Sequence, residues 1–186
     1  MIPVDTFTVG TNKVEIYPDD NVENPRKGGG EFGHMLCWHR RYALGDDKGE
    51  FRSQELGTDL FLQWYNKHLR DVVLLPLFLY DHSGLTMRTN DFRDIDPQGW
   101  DSGQVGWIYA SRADIREWFG KKKVTKKLLA RALEVLEDAV KVYDEYLRGE
   151  VYYYVVENER GEIVDSQGGI WGLNEAKELA KEAAAG

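Results

Sequence analysis

Cysteine is nearly missing from this chain: among 186 residues only Cys37 carries a thiol. A single cysteine excludes an intramolecular disulfide framework and a multi-cysteine zinc site. Proline is scarce and the glycines are scattered, so the composition of a disordered or fibrous chain is missing too. No apolar run approaches the roughly 18 residues that cross a bilayer. Met1 to Asp5 has neither the basic nor the apolar region of a secretory leader. These absences lead to the expectation of a cytoplasmic protein without a membrane partner. The standard catalytic signatures are also missing: there is no His-Glu-x-x-His, phosphate loop, nucleophile elbow or dinucleotide fingerprint. Gly28-Gly29-Gly30 lacks the Lys-Ser/Thr that a phosphate cradle requires and reads as loop.

What is present is an ordinary globular composition, with 42% hydrophobic and 30% charged residues. At roughly 150 residues per domain it predicts a single domain over 1–172, followed by a short helical tail over 173–186. The 24 basic and 32 acidic residues leave a net charge of −8. That balance argues against direct nucleic-acid binding, which depends on neutralising phosphates. It fits a surface kept soluble by charge, or one that competes for a partner's basic groove. The charge is uneven, because Lys121-Lys122-Lys123 and Lys126-Lys127 form a basic knot before the longest helical pattern.

Alternating residues at 6–9 and 14–17 predict an N-terminal hairpin, and 35–39 a short strand. Ser53 is a candidate N-cap for a helix to Leu69, with Leu56, Leu60, Phe61, Trp64, Tyr65 and Leu69 on its apolar face. The unbroken apolar run 72–80 predicts a central strand, with a bulge or an edge where Pro76 cannot donate to a ladder. Residues 81–103 read as one long loop and 104–110 as strand, and Ser111 caps a short helix to Phe119. Leu129, Leu133, Leu136, Val140, Tyr143 and Leu147 mark a long helix over 125–148, stopped by Gly149. Strands at 151–156 and 162–165 form a second hairpin, and Tyr153 falls on the face opposite Tyr152 and Tyr154. The fold class is therefore α+β: a largely antiparallel sheet with one long and one medium helix packed on it.

Three polar clusters adjoin apolar strands: Cys37 to Asp46, Tyr80 to Gly84 and Trp100 to Gln104. Strand ends deliver side chains into loop-built sites, so neighbouring strands would bring these clusters into one pocket. His39 and His82 are the candidate acid and base, with Asp81 and Asp101 as catalytic or orienting carboxylates. Arg40 and Arg41 have the forked donors that hold a phosphate or carboxylate. Asp46, Ser83, Ser102 and Gln104 complete the candidate ligand-binding set. Asp46, Asp81 and Asp101 carry hard oxygens suited to a divalent cation, but no metal or other cofactor is assigned. The competing reading is that Asp-Ser-Gly and His-Ser-Gly simply build turns. Cys37 with a histidine is a conceivable nucleophile pair, although its apolar surroundings favour core packing.

The strings His39-x-Arg41-Tyr42-x-Leu44-Gly45-Asp46, Leu75-Pro76-Leu77-x-Leu79-Tyr80-Asp81-His82-Ser83-Gly84 and Trp100-Asp101-Ser102-Gly103-Gln104-Val105-Gly106 resemble a family of hypothetical proteins encoded by bacteriophages, prophages and other mobile elements. Tyr143-Asp144-x-Tyr146-Leu147-x-Gly149-x-Val151-Tyr152 and Val164-Asp165-Ser166 fit the same family. The likeness runs from about Val14 to Gly172, with departures at Ala43, 93–99 and 167–170. The resemblance carries no activity that transfers residue by residue. It implies an accessory protein in the cytoplasm of a bacterial host, of the kind that acts against host defences. The leading expectation is a counter-defence inhibitor that binds a host nuclease or defence complex, as anti-CRISPR and anti-restriction proteins do. The alternative is a small hydrolase, or a non-catalytic sponge, acting on a nucleotide signal through a His/Arg/Asp pocket.

Overall fold

The computed structural model describes residues 1–53, 57–68 and 72–186. In chain order the strands are β1 (Asp5–Val9), β2 (Asn12–Pro18), β3 (His34–Cys37), β4 (Val72–Asp81), β5 (Leu85–Arg88), β6 (Ser102–Ser111), β7 (Val151–Glu157) and β8 (Ile163–Trp171). The helices are α1 (Gly57–His68), α2 (Arg112–Phe119), α3 (Lys126–Arg148) and α4 (Leu173–Ala185). The α+β class is as expected, with the strands shared between two four-stranded antiparallel sheets. By contact the chain divides into two compact units: Met1–Asn24 with Glu145–Gly186, and Pro25–Asp144.

The first unit holds the sheet β1-β2-β7-β8, so the two predicted hairpins are joined through the β2–β7 pairing. α4 covers one face. Its Ala176, Ala180 and Ala184 recur one turn apart, and their small side chains bring the helix close to Val14, Ile16, Tyr154 and Val156. Tyr153 lies on the other face and stacks on Tyr17 at 5.0 Å, as the alternation predicts. β8 runs six residues past its predicted end at Asp165. Gly168 and Gly169 form a bulge opposite Tyr153, with Gly169 at φ +67°.

The second unit holds the sheet β3-β6-β4-β5. On one face Leu36, Leu74, Trp107 and Tyr109 pack with Phe51, Phe61, Trp64 and Tyr65. Phe61 is fully buried, but Leu60, predicted for the same helical face, is 42% exposed. Leu56 and Leu69 lie outside the described residues. Met35, Leu77, Ile108 and Ala110 fill the opposite face and are fully buried. Cys37 is buried in this core, and burial pushes its thiol up to about 12, so it is a packing residue rather than a nucleophile. α2 begins on Ser111 with the reciprocal capping box to Asp114. Ala132, Leu136, Val140 and Tyr143 form the buried stripe of α3, and the Tyr143 hydroxyl accepts from the Gly45 N–H at 2.9 Å.

Of the bulge or edge expected at Pro76, the bulge falls elsewhere: Pro76 stays in register with Trp107, and the ladder between β4 and β6 slips between Leu77 and Phe78. On the other side, β5 pairs only with Phe78 to Asp81, so Pro76 faces a locally open edge. β5 corrects the reading of 81–103 as a single loop: Leu85-Thr86-Met87-Arg88 is a short alternating strand.

Candidate functional site

β6 is the central reference for the site. β3 and β4 both run antiparallel to it, so their C-terminal ends lie together at its N-terminal start. The residues after β3, those after β4 and those before β6 are the three polar clusters. Backbone bonds tie them together: the Trp38 N–H donates to the Val105 carbonyl at 2.7 Å, and the Asp81 N–H to the Asp101 carbonyl at 2.8 Å. The result is an open cleft of about 500 Å³, lined by His39, Arg40, Arg41, Asp81, Asp101, Ser102 and Gln104, with Trp38 and Trp100 among the other walls. The bulge at Val105 sits at its edge, where such irregularities re-aim neighbouring side chains.

Seven of the ten candidate residues thus meet in one place, and three do not. Asp46 lies in a structural ion pair: Arg26 Nε and Nη2 donate to its two carboxylate oxygens at 2.8 and 2.7 Å, and the Met35 N–H donates to Oδ2 at 2.8 Å. Ser83 is exposed in the three-residue connection between β4 and β5, at φ +59°. It is a turn residue. His82 lies outside the cleft lining, stacks on Tyr80 at 5.8 Å, and donates from Nδ1 to Asp101 Oδ2 at 2.9 Å.

Within the cleft most polar groups are already engaged. Asp81 takes an ion pair from Arg41 on Oδ2 and a hydrogen bond from the Tyr42 hydroxyl on Oδ1 at 3.3 Å. The Tyr42 ring stacks on His39 at 5.0 Å and lies 5.3 Å from the Arg41 guanidinium. The Arg41 N–H donates to His39 Nδ1 at 3.3 Å, so the ring proton sits on Nε2. Burial, followed by the charge of Arg41, pulls the His39 pKa below its ordinary value and keeps the ring neutral. Its basic lone pair is thereby used, leaving an N–H as the group it can offer a ligand. The Ser102 hydroxyl donates to Asp96 Oδ2 at 2.8 Å.

Two residues that shape this region were not among the predicted site residues, and only the first lines the cleft. Trp100 is 86% exposed on the cleft wall. A tryptophan inside a polar stretch without strand or helix periodicity was the available signal. Asp96 is the other: its carboxylate accepts from the N–H groups of Trp100 at 3.2 Å and Asp101 at 3.0 Å, besides the Ser102 hydroxyl. These bonds, the Ser102 hydroxyl foremost, hold the Asp96 pKa below the usual aspartate value. A lowered carboxylate pKa contributes order that is present above the unfolded value and lost as pH falls through the folded one. Acidification is therefore expected to release 96–102 with a midpoint below the ordinary aspartate value of about 3.9. The amide signals of Trp100 and Asp101, followed by NMR, report this; a midpoint at or above that value would show that the brace is unimportant.

Among the described residues no group of three or more His, Cys, Asp or Glu side chains is placed to hold a metal ion, and no helix is long and apolar enough to cross a membrane. No protein-family profile, curated protein or solved structure matches the chain. The chemistry of the cleft is accordingly read from its own residues. Among the described residues, what it leaves free is a guanidinium on Arg40, an imidazole N–H on His39, the Gln104 carbonyl oxygen and the Trp100 ring. Gln104 donates its amide to the Gly106 carbonyl at 3.3 Å, which turns that oxygen into the free end.

Proposed function

We propose that the protein is a phage or mobile-element accessory protein that counters host defence by binding, and that its cleft captures a nucleotide-type ligand without turning it over. The observation that carries this reading is the convergence of all three strand-end clusters in one cleft, with Arg40, unpartnered among the described residues, and an exposed Trp100 on its walls. An exposed indole stacks on any base, and a guanidinium takes phosphate oxygens. Capture is favoured over hydrolysis because the candidate base His39 already accepts a hydrogen bond and the oriented His82 lies outside the lining. The family resemblance supplies the counter-defence context.

The test is fluorescence titration with a panel of mono- and cyclic nucleotides, followed by chromatography of the recovered ligand. Saturable binding is expected, weakened about tenfold by Trp100→Ala, in line with roughly 1–3 kcal/mol per stacked base. The nucleotide is expected to come back intact. Accumulating product would make the protein a hydrolase. Absence of nucleotide binding, together with salt-sensitive affinity for a defence nuclease, would replace capture with the nuclease-blocking mode that the charge of −8 suits.

A further inference from the structure

Resting on the capture reading, we infer that the cleft selects a singly charged phosphodiester of mononucleotide size, a cyclic mononucleotide, over nucleotides with a terminal phosphate. The argument is one of charge matching. Four charged side chains line the cleft: Arg40, Arg41, Asp81 and Asp101. Arg41 is neutralised in place by Asp81. Asp101 is held by the exposed His82 at 2.9 Å and places its carboxylate in the lining. His39 is neutral and offers one N–H. Arg40 is therefore the one cleft cation without a hydrogen-bonding or ion-pair partner among the described residues.

A terminal phosphate carries about −1.5 to −2 charges near neutral pH. Arg40 balances only part of that, while the excess lies beside the Asp101 carboxylate in a protein of net charge −8. A phosphodiester carries a single charge with no second ionisation, so Arg40 matches it in full, and the His39 N–H can serve its second free oxygen. Size points the same way. About 500 Å³ lies in the lower part of the range of small-ligand sites, roughly 300–1,000 Å³. That is room for one ring system on Trp100 and one phosphate at Arg40, not for a nucleic-acid strand. Hydroxyls of a sugar between them can donate to Asp101, a use for its carboxylate that a second phosphate charge would forbid.

The experiment is calorimetric titration of the full chain with 3′,5′-cyclic AMP, 3′,5′-cyclic GMP, 5′-AMP, ATP and adenosine at pH 8 and fixed ionic strength. At least one cyclic nucleotide is expected to bind about tenfold or more tightly than 5′-AMP and ATP. Arg40→Gln, a change at an exposed side chain, is expected to lower cyclic nucleotide affinity about tenfold, the worth of one charge-assisted contact. Asp101→Asn is expected to raise 5′-AMP affinity severalfold relative to the cyclic ligand, because it removes the opposing charge. Equal or tighter binding of 5′-AMP or ATP by the unaltered protein overturns the charge selection and leaves capture standing. An Asp101→Asn protein with an unchanged ratio overturns it too. Failure of every ligand to bind overturns the capture reading itself.

Discussion

Asp46→Ala is expected to destabilise the Pro25–Asp144 unit by about 3–5 kcal/mol, the usual cost of removing one partner from a buried ion pair. The Arg26 side chain is only 3% exposed, and that of Asp46 21%. Truncating the carboxylate takes two charge-assisted bonds from a buried guanidinium and removes the acceptor of the Met35 N–H at the start of β3. The bond from Arg26 Nη2 to the Gly33 carbonyl at 2.8 Å goes to a neutral oxygen and does not replace the lost carboxylate. Urea titration measures the change: the midpoint should fall sharply with little change in slope. Arg26→Met with Asp46→Leu should recover much of the loss, because an apolar pair of similar bulk leaves no charge buried. A loss under about 1 kcal/mol for Asp46→Ala would place this carboxylate with the ordinary surface pairs. The experiment also separates two uses of one residue type, since Asp46 supports the fold whereas Asp101 faces the cleft.

Gly106→Ala is the second change with a large expected effect, at least about 3 kcal/mol. A β-carbon at Gly106 would stand 1.9 Å from the Leu36 carbonyl oxygen and 2.9 Å from the Cys37 α-carbon. Both obstacles are backbone, so relief requires β3 to separate from β6 rather than a side chain to turn. That movement also loosens the Trp38–Val105 bond, which sets the Trp38 to Arg41 wall of the cleft. Stability and nucleotide affinity should therefore fall together. Gly103→Ala is the control: nothing lies within 4 Å of a β-carbon there, and stability should change by less than about 0.5 kcal/mol. Similar thermal melts for the two variants would contradict the close strand contact at Gly106.

Elements whose signal is local were legible in the sequence. Ser111 with Asp114 is a capping box within four residues, and the buried stripe of α3 recurs at three- and four-residue steps from Ala132 to Tyr143. The apolar run of β4 likewise announced an interior strand. Features that depend on partners were not legible. Gly168-Gly169 has the composition of a turn, and only β7 opposite makes it a bulge. Leu85–Arg88 alternates for four residues, too few to stand out from a loop until β4 pairs with it. The three clusters could be picked out because polar residues next to apolar strands are conspicuous, but their convergence depends on β6 lying between β3 and β4. Asp46 was misleading for the same reason: its partner Arg26 lies in a segment with no periodic pattern, so nothing nearby marked the carboxylate as already taken.

The pairing of β2 with β7 sets an order on biosynthesis. The Pro25–Asp144 unit is an insertion between the two halves of the other unit. As the chain leaves the ribosome, β1 and β2 emerge first but can form only a lone hairpin, which is marginal in water. Every residue of the inserted unit is made before β7, β8 and α4 exist to complete the first sheet and cover Val14 and Ile16. The part that carries the cleft can thus mature while β1 and β2 still wait, and β7, β8 and α4 then complete the sheet that those two strands began.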